Sequence, residues 1–292
     1  MHILITGGTG LIGTALCEAL LREGHQLTIL SRAKRRDRQN VRFIKAFSQC
    51  VGPVDAVINL AGAGLADRRW TAAYKREIWA SRIDVTNDLV AWMAEQAESP
   101  KRLINGSAIG FYGADAEATF SDDAPLGAGF SADLCHAWEQ AAEKATLAGA
   151  TVIRLRLGVV LAKEGGALGK MTQSFRMGME TWLGSGEQWL SWIHIDDVVR
   201  VILFALSQES VSPIYNTVAP EPVRHRQFAS EVGKRTFTLL RAGVPTGVAR
   251  LLAGEMADEL LLSGQRVVPD QLTAEGFSFR YPTLADALNN LV

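Results

Sequence analysis

The chain of 292 residues reads as an α/β protein, a doubly wound parallel sheet followed by a smaller, mostly helical C-terminal lobe. Two observations predict this. Short apolar-rich runs recur at 3–6 (ILIT), 25–30, 54–60 (VDAVINL), 101–107 and 151–155, as strands buried on both faces require. Between several of them lie longer stretches whose apolar residues repeat at helical spacing, so helices should cover both faces of a parallel sheet.

Taken in order, the first helix should begin near Gly10, bury Leu16, Ala19 and Leu20, and stop at Gly24. A long helical stretch is expected from about Thr71 to Glu98, with Trp79, Ile83, Thr86, Leu89, Val90 and Met93 on repeating faces and Ser99-Pro100 ending it. Another should run from Ser131 to Ala148 and stop at Gly149. Past residue 160 the alternation loosens. Gly165, Gly166, Gly169, Gly178, Gly184 and Gly186 interrupt the chain, with Trp182, Trp189 and Trp192 among them, and the tail from Pro220 is mostly helical. The expected division is a nucleotide-type domain over 1–160, rejoined by about 190–218, and a substrate-side lobe from 161–190 and 219–292.

Composition narrows the function. With 30 basic and 31 acidic residues the formal charge is −1, so no long-range field favours nucleic acid or an anionic membrane. Cys17, Cys50 and Cys135 are odd in number and lack metal-like spacing, which predicts neither disulfides nor a metal site. The start is strand-like from residue 3, leaving no room for a signal peptide, and no run of apolar residues is long enough to span a bilayer. The expectation is a soluble, cytoplasmic protein, monomer or homodimer, without a nucleic-acid or membrane partner.

The glycines are the sharpest signal. Gly7, Gly10 and Gly13 follow a strand and open a helix. The first permits the turn, the second lets backbone approach a phosphate, the third lets the helix pack closely on the strand, and the free N–H groups of the helix face a pyrophosphate. The next strand ends at Ser31 and Arg32, where an acidic residue would hold the ribose hydroxyls of NAD. A guanidinium there suits a 2′-phosphate, so NADP is expected over NAD.

The stretches ITGGTGLIG (5–13), VINLAG (57–62), RRWTAAYKREIWASRIDVT (68–86), GSAIGFYG (106–113), RLRLGVVLAKEGGALGKM (154–171), WLSWIHIDD (189–197) and the tail 254–288 resemble the atypical or extended short-chain dehydrogenase/reductases, specifically the NADP-dependent "epimerase family" proteins with an additional C-terminal domain of unknown function. The resemblance implies a Rossmann-like fold. It implies that Gly7, Thr9, Gly10, Leu11, Ile12 and Gly13 wrap the pyrophosphate and that Ser31 and Arg32 meet the adenosine ribose-phosphate. Asn59, Leu60, Ala61 and Gly62 would lie beside the adenine and ribose links. Arg82, at a place where this branch favours arginine, is expected to bind the cofactor; Ser107, where a substrate oxygen is held, and Tyr112, in the loop lining the nicotinamide side, are the expected catalytic residues.

One part of that pattern is missing. The superfamily's Tyr-x-x-x-Lys pair, whose lysine acidifies the phenol and holds the nicotinamide ribose, should fall within GFSADLCHAWEQAAEKA (129–145). Placing Glu139 four residues after the lysine position puts Ser131 in the tyrosine's place and Cys135 in the lysine's. Substitutes for the proton donor are Ser107, Tyr112, Cys135, His136 and His194, with the loop 107–112 preferred over the helix. The gap leaves two readings: an NADP-dependent oxidoreductase or epimerase on a small or nucleotide-linked carbonyl or alcohol, or an NADP(H)-binding regulatory or partner-binding protein with weak or no turnover. Arg154 and Arg156 leave a buried strand, one expected near the cofactor and one paired with an acid.

Overall fold

The computed structural model describes residues 1–208 and 210–292. The chain enters through β1 (His2–Thr6), turns at Gly7–Gly10 into α1 (Leu11–Arg22), and returns as β2 (Gln26–Leu30) parallel to β1, with Ile3 opposite Leu27 and Ile5 opposite Ile29. An edge strand, β3 (Val41–Ile44), follows, for which the sequence pattern predicts no element. It is four residues long, with Val41 and Ile44 buried and Arg42 exposed, so it leaves little signal. The next strand, β4 (Ala56–Asn59), is buried at every position.

The long helix expected over 71–98 is two helices, α2 (Ala72–Ala80) and α3 (Ile83–Glu95). The break has a visible cause. Ser81 Oγ donates to Ile78 O at 2.9 Å and accepts from Ala63 N at 2.9 Å, so the end of α2 is tied to the turn after β4. The sheet continues with β5 (Arg102–Ala108), followed by a 3₁₀ turn at Ile109–Tyr112. Next come β6 (Asp115–Phe120), α4 (Phe130–Glu143) and β7 (Thr151–Leu157).

After these follow β8 (Val159–Leu161), α5 (Gly166–Met171), β9 (Met179–Leu183), β10 (Trp189–Leu190), β11 (Trp192–His194), α6 (Ile195–Ser207) and β12 (Ile214–Thr217). The tail holds β13 (Val223–Arg224), α7 (His225–Gly233), β14 (Leu240–Val244), α8 (Thr246–Ala253), β15 (Gln265–Val267), α9 (Asp270–Ala274) and α10 (Leu284–Leu291).

Seven parallel strands form the main sheet in the order β12-β7-β5-β4-β1-β2-β3. Because successive strand residues point to opposite faces, β1 feeds two cores at once. Ile3 and Ile5 join Leu16, Leu20, Val198 and Ile202 of α1 and α6, while Leu4 joins Leu89 and Met93 of α3 with Ala142 of α4. The doubly wound sheet is thus set by burial on both faces. A further core, built on Trp192, Phe228, Tyr281, Leu284 and Leu288, packs the C-terminal elements together. The later segments also pair in short two-stranded ladders, β9 with β14 and β6 with β15 among them.

Two contacts fasten the tail. Asp197, fully buried in the first turn of α6, accepts from Arg280 N at 2.8 Å and Tyr281 N at 2.9 Å. His194 caps α6 by accepting from Asp196 N at 3.0 Å, and its ring stacks on Tyr281 at 3.8 Å.

Candidate functional site

The turn after β1 is built for close backbone approach. Gly7 has φ +68°, and a Cβ there would lie 2.2 Å from Leu60 O. At Gly13 it would lie 2.2 Å from Gly7 O and 2.6 Å from Gly8 Cα, so α1 rests directly on the turn. At Gly10 the nearest atom is Gly7 O at 3.3 Å, and the space above is open. No side chain caps α1 and no acidic residue sits in its first turn, so its leading N–H groups are free for an anion. Thr9, Gly10 and Leu11 are exposed around this opening. Ile12 is half-buried against the core. Gly165 and Gly166 lie against Leu11, beside the glycine turn.

At the end of β2, Ser31 is buried and its hydroxyl donates to Ala33 O at 3.1 Å, which fixes the start of the basic loop. Arg32 is exposed beyond it, as are Lys34, Arg35 and Arg36. The residues after β4 divide into two roles. Asn59 is fully buried: its side chain accepts from Thr6 Oγ1 and donates to Thr86 Oγ1 at 2.8 Å and Asn105 Oδ1 at 2.6 Å. Its amide therefore locks β1, β4, β5 and α3 together, with its side-chain partners all inside the protein. Leu60, Ala61 and Gly62 form the turn against Gly7, with Ala61 N donating to Thr6 Oγ1 at 3.2 Å. A Cβ on Gly62 would meet the Arg82 guanidinium at 2.7 Å, so the helix break at 81–82 brings this cation to the edge of the crevice.

Beyond β5 lies a buried polar network. Arg156 of β7 donates through Nε to Glu139 Oε1 at 2.8 Å and through Nη2 to Glu139 Oε2 at 2.9 Å, an ion pair with both side chains almost wholly covered. Its Nη1 donates to Tyr112 Oη at 2.8 Å and Asp122 O at 3.1 Å, while its plane lies 3.5 Å from the Phe111 ring centroid. Tyr112 in turn donates to Asn216 Oδ1 at 2.6 Å. Ser107 Oγ donates to Glu139 Oε1 at 2.7 Å. Asp122 accepts from Asn216 N and from Gln271 N at 3.1 Å, which ties the start of α9 into the same network.

This arrangement corrects the expectation for Tyr112. Only 3% of the residue is exposed, and its hydroxyl both donates and accepts within the protein. Burial, opposed by the neighbouring Arg156 charge, pushes its pKa up to about 12. A phenol so placed keeps its hydroxyl engaged within the protein. Both strand arginines pair with acids, since Arg154 lies 3.4 Å from Glu143. Cys135 faces Gly110 and is buried, with its thiol pushed up to about 11 by desolvation. His136 lies beside the Phe111 ring, and His194 belongs to the α6 junction.

At the front of α4, Ser131 lines a cavity of about 170 Å³ with Gly113, Ala114, Ala128, Asp258, Glu259 and Gln265. Glu259, on a π-helical turn at Ala257–Leu261, accepts from Phe130 N at 3.0 Å and Ser131 N at 3.1 Å. Sequence reasoning missed this cap because its two halves are far apart in the chain. It also missed the Glu139–Arg156 pair. The single signal was a charge inside an otherwise apolar face of α4.

Comparison with known proteins follows the same geometry. The family model described as the NAD dependent epimerase/dehydratase family matches residues 3–217. The chain belongs to that family. A second model, a domain of unknown function named DUF1731, matches 244–291. Among relatives of the epimerase family, the protein Mb2239 of Mycobacterium bovis is 38% identical over 290 residues, spanning 98% of this chain and 96% of its own length. YfhF of Bacillus subtilis is 35% identical over 300 residues, 100% of this chain and 98% of its own. The human epimerase family protein SDR39U1 (isoform 2), whose crystal structure is with NADPH, superposes with a TM-score of 0.91 at 30% identity, covering 100% of this chain and 99% of that one. A nucleoside-diphosphate sugar epimerase from Corynebacterium glutamicum gives a TM-score of 0.79 at 30% identity, with 99% of this chain on 57% of the longer one. Among the described residues, no group of three His, Cys, Asp or Glu side chains could hold a metal, and no helix is long and apolar enough to cross a membrane.

Proposed function

We propose that this chain binds NADP(H) and works as an oxidoreductase or epimerase on a carbonyl or alcohol group of a small or nucleotide-linked substrate, with Ser107 and Glu139 carrying the proton in place of a phenol. The observation that carries the cofactor reading is the uncapped N-terminus of α1 above an open Gly10, with an exposed arginine just past β2. Gly7, Thr9, Gly10, Leu11, Ile12 and Gly13 hold the pyrophosphate, and Arg32 meets the 2′-phosphate. The NADPH in the human relative's structure supports the same choice.

When bound, the cofactor supplies or takes up a hydride at its nicotinamide ring. The chain handles the proton. In the oxidising direction, a substrate hydroxyl passes its proton to Ser107 Oγ as Ser107 passes its own to Glu139 Oε1, along the 2.7 Å hydrogen bond already formed. Arg156 holds that carboxylate through two donors and fixes its orientation. Reduction runs the same path backwards.

The near-complete burial of both Ser107 and Tyr112 favours a second reading, in which the protein binds NADP(H) and turns it over weakly or not at all. Two measurements separate them. Calorimetric titration should give NADPH at least about tenfold tighter than NADH, because Arg32 meets a phosphate that NAD lacks, and Arg32→Ala should narrow the gap. Equal affinities in the unaltered protein would remove the NADP assignment. NADPH deuterated at the transferable position, incubated with carbonyl compounds and nucleotide sugars, should pass its label to a product, and Ser107→Ala should abolish the transfer. Tight binding with no label transfer to any of them would select the second reading.

A further inference from the structure

The ladder of β9 and β14 leaves one strand edge bare. β14 pairs parallel with β9 on one side and, among the described residues, with no strand on the other. Leu240 N donates to Gly178 O at 3.2 Å and Gly184 N donates to Val244 O at 2.9 Å, both across that ladder. Peptide groups alternate sides along a strand, so Leu240, Ala242 and Val244 face β9 while Arg241 and Gly243 turn their N–H and C=O groups outward. Leu240 to Gly243 are exposed throughout. A bare edge of this kind is a template for another strand.

Apolar side chains crowd the same stretch of chain. Phe237, Leu239, Leu240, Leu251 and Leu252 are each 65–77% exposed, and Met177 and Val248 join them. Leu239 lies against Gly178, next to Met177. α8 follows β14 directly and buries Ala249 and Ala253 in the cluster that includes Leu183 of β9, while Val248, Leu251 and Leu252 stay in solvent. At roughly 100 Å² for a fully exposed large apolar side chain, these residues present on the order of 500 Å². A stable interface removes about 800 Å² from each partner, a little over half of it apolar. The supply matches that requirement.

Charge and shape select the partner. Arg241 Nε lies 3.0 Å from Glu180, and Arg250 Nε lies 2.8 Å from Asp258, so the arginines of β14 and α8 are neutralised within the chain. A partner recognised by charge would find neither of them free, whereas identical faces can meet there without opposing like charges. Antiparallel pairing about a two-fold axis through Ala242 sets Arg241 against Gly243 of the other copy, where a missing side chain leaves room for the guanidinium. The outward N–H and C=O groups of these residues then exchange hydrogen bonds on both sides of the axis.

We propose that β14 is the dimerisation edge of this protein: two copies join their β9–β14 ladders into one continuous sheet, with Phe237 and the exposed leucines packed around the junction. The pairing does not depend on NADP(H) binding.

Sedimentation velocity on the full chain, across dilutions from high to sub-micromolar concentration, should show a monomer–dimer equilibrium. Leu240→Lys and Leu251→Glu, each placing a charge in the junction, should raise the dissociation constant at least about tenfold, with circular dichroism reporting that both are folded. Ala242→Cys places a thiol on the axis, where facing Cα atoms about 4.5 Å apart lie within disulfide reach. Oxidised glutathione should convert that variant into a covalent dimer and leave Leu147→Cys, on the exposed turn after α4, uncrosslinked. A monomer at every concentration overturns the proposal; if it floats with phosphatidylcholine vesicles, the face belongs to a lipid surface instead. A dimer that survives both charge substitutions, or one in which Ala242→Cys stays uncrosslinked, joins through another face and overturns the proposal equally.

Discussion

Tyr112 and Arg82 carry opposite lessons about polar side chains near a ligand crevice. The Tyr112 hydroxyl is satisfied on both sides by Asn216 and Arg156, so its chemistry is spent inside the protein. Arg82 has unused donors and therefore something left to offer. Tyr112→Phe should leave NADPH affinity unchanged and lower stability by about 1–3 kcal/mol, since Asn216 Oδ1 loses a donor in a buried setting. Urea denaturation checks this. Full stability with turnover abolished would return the tyrosine to the reaction. Its strand address and aromatic identity suggested a role at the nicotinamide. The partners that cancel that role come from β7 and β12, remote in sequence and invisible to local reading.

At the scale of elements, the turn from β1 into α1 separates two uses of glycine. Gly13 is needed for packing, because a methyl group there would strike the backbone of Gly7 and Gly8, which cannot yield as a side chain could. Gly13→Ala should destabilise the fold by roughly 1–3 kcal/mol and more if α1 lifts from the sheet. Gly10 is free of protein contact except at 3.3 Å from Gly7 O. Gly10→Val should therefore fold normally, by circular dichroism, and lose dinucleotide binding, by titration. Normal NADPH affinity in that variant would mean the pyrophosphate lies elsewhere. The glycine turn was legible because its geometry is local. The break at Ser81–Arg82 was not, since apolar periodicity runs through it and the cause is a hydrogen bond to Ala63 across the crevice.

For the whole molecule, acid stability offers a test of how the late segments of the chain are held to one another. His225, at the start of α7, accepts from Leu183 N through Nδ1 and lies against Phe228; burial pulls its pKa down to about 4. The unfolded chain, with an ordinary value of about 6.5, takes up the proton first as pH falls. This residue's share of stability is thus complete above about pH 6.5 and is lost between there and about 4, amounting to about 3 kcal/mol. Urea midpoints of His225→Asn should fall less steeply over that window than those of the unaltered protein. Parallel pH profiles would show that the imidazole titrates in the folded protein as it does in solvent. His194 is shifted in the same direction by burial and adds to the slope in both proteins.

The sequence by itself determined the doubly wound sheet and the glycine turn into α1. Strands buried on both faces must be continuously apolar, and a backbone that touches phosphate must carry glycine, so each leaves its mark on consecutive residues. Family membership was equally legible in 5–13, 68–86 and the tail. The tertiary structure alone decided which polar residues remain available. Glu139 meets Arg156, Ser107 meets Glu139, and Glu259 reaches the N-terminus of α4 across distances in sequence that no spacing rule records. Hydrogen-bond saturation depends on partners brought together by packing. A tyrosine that looked reactive in its loop is held as structure, and an arginine that looked like part of a continuous helix is left with its donors free.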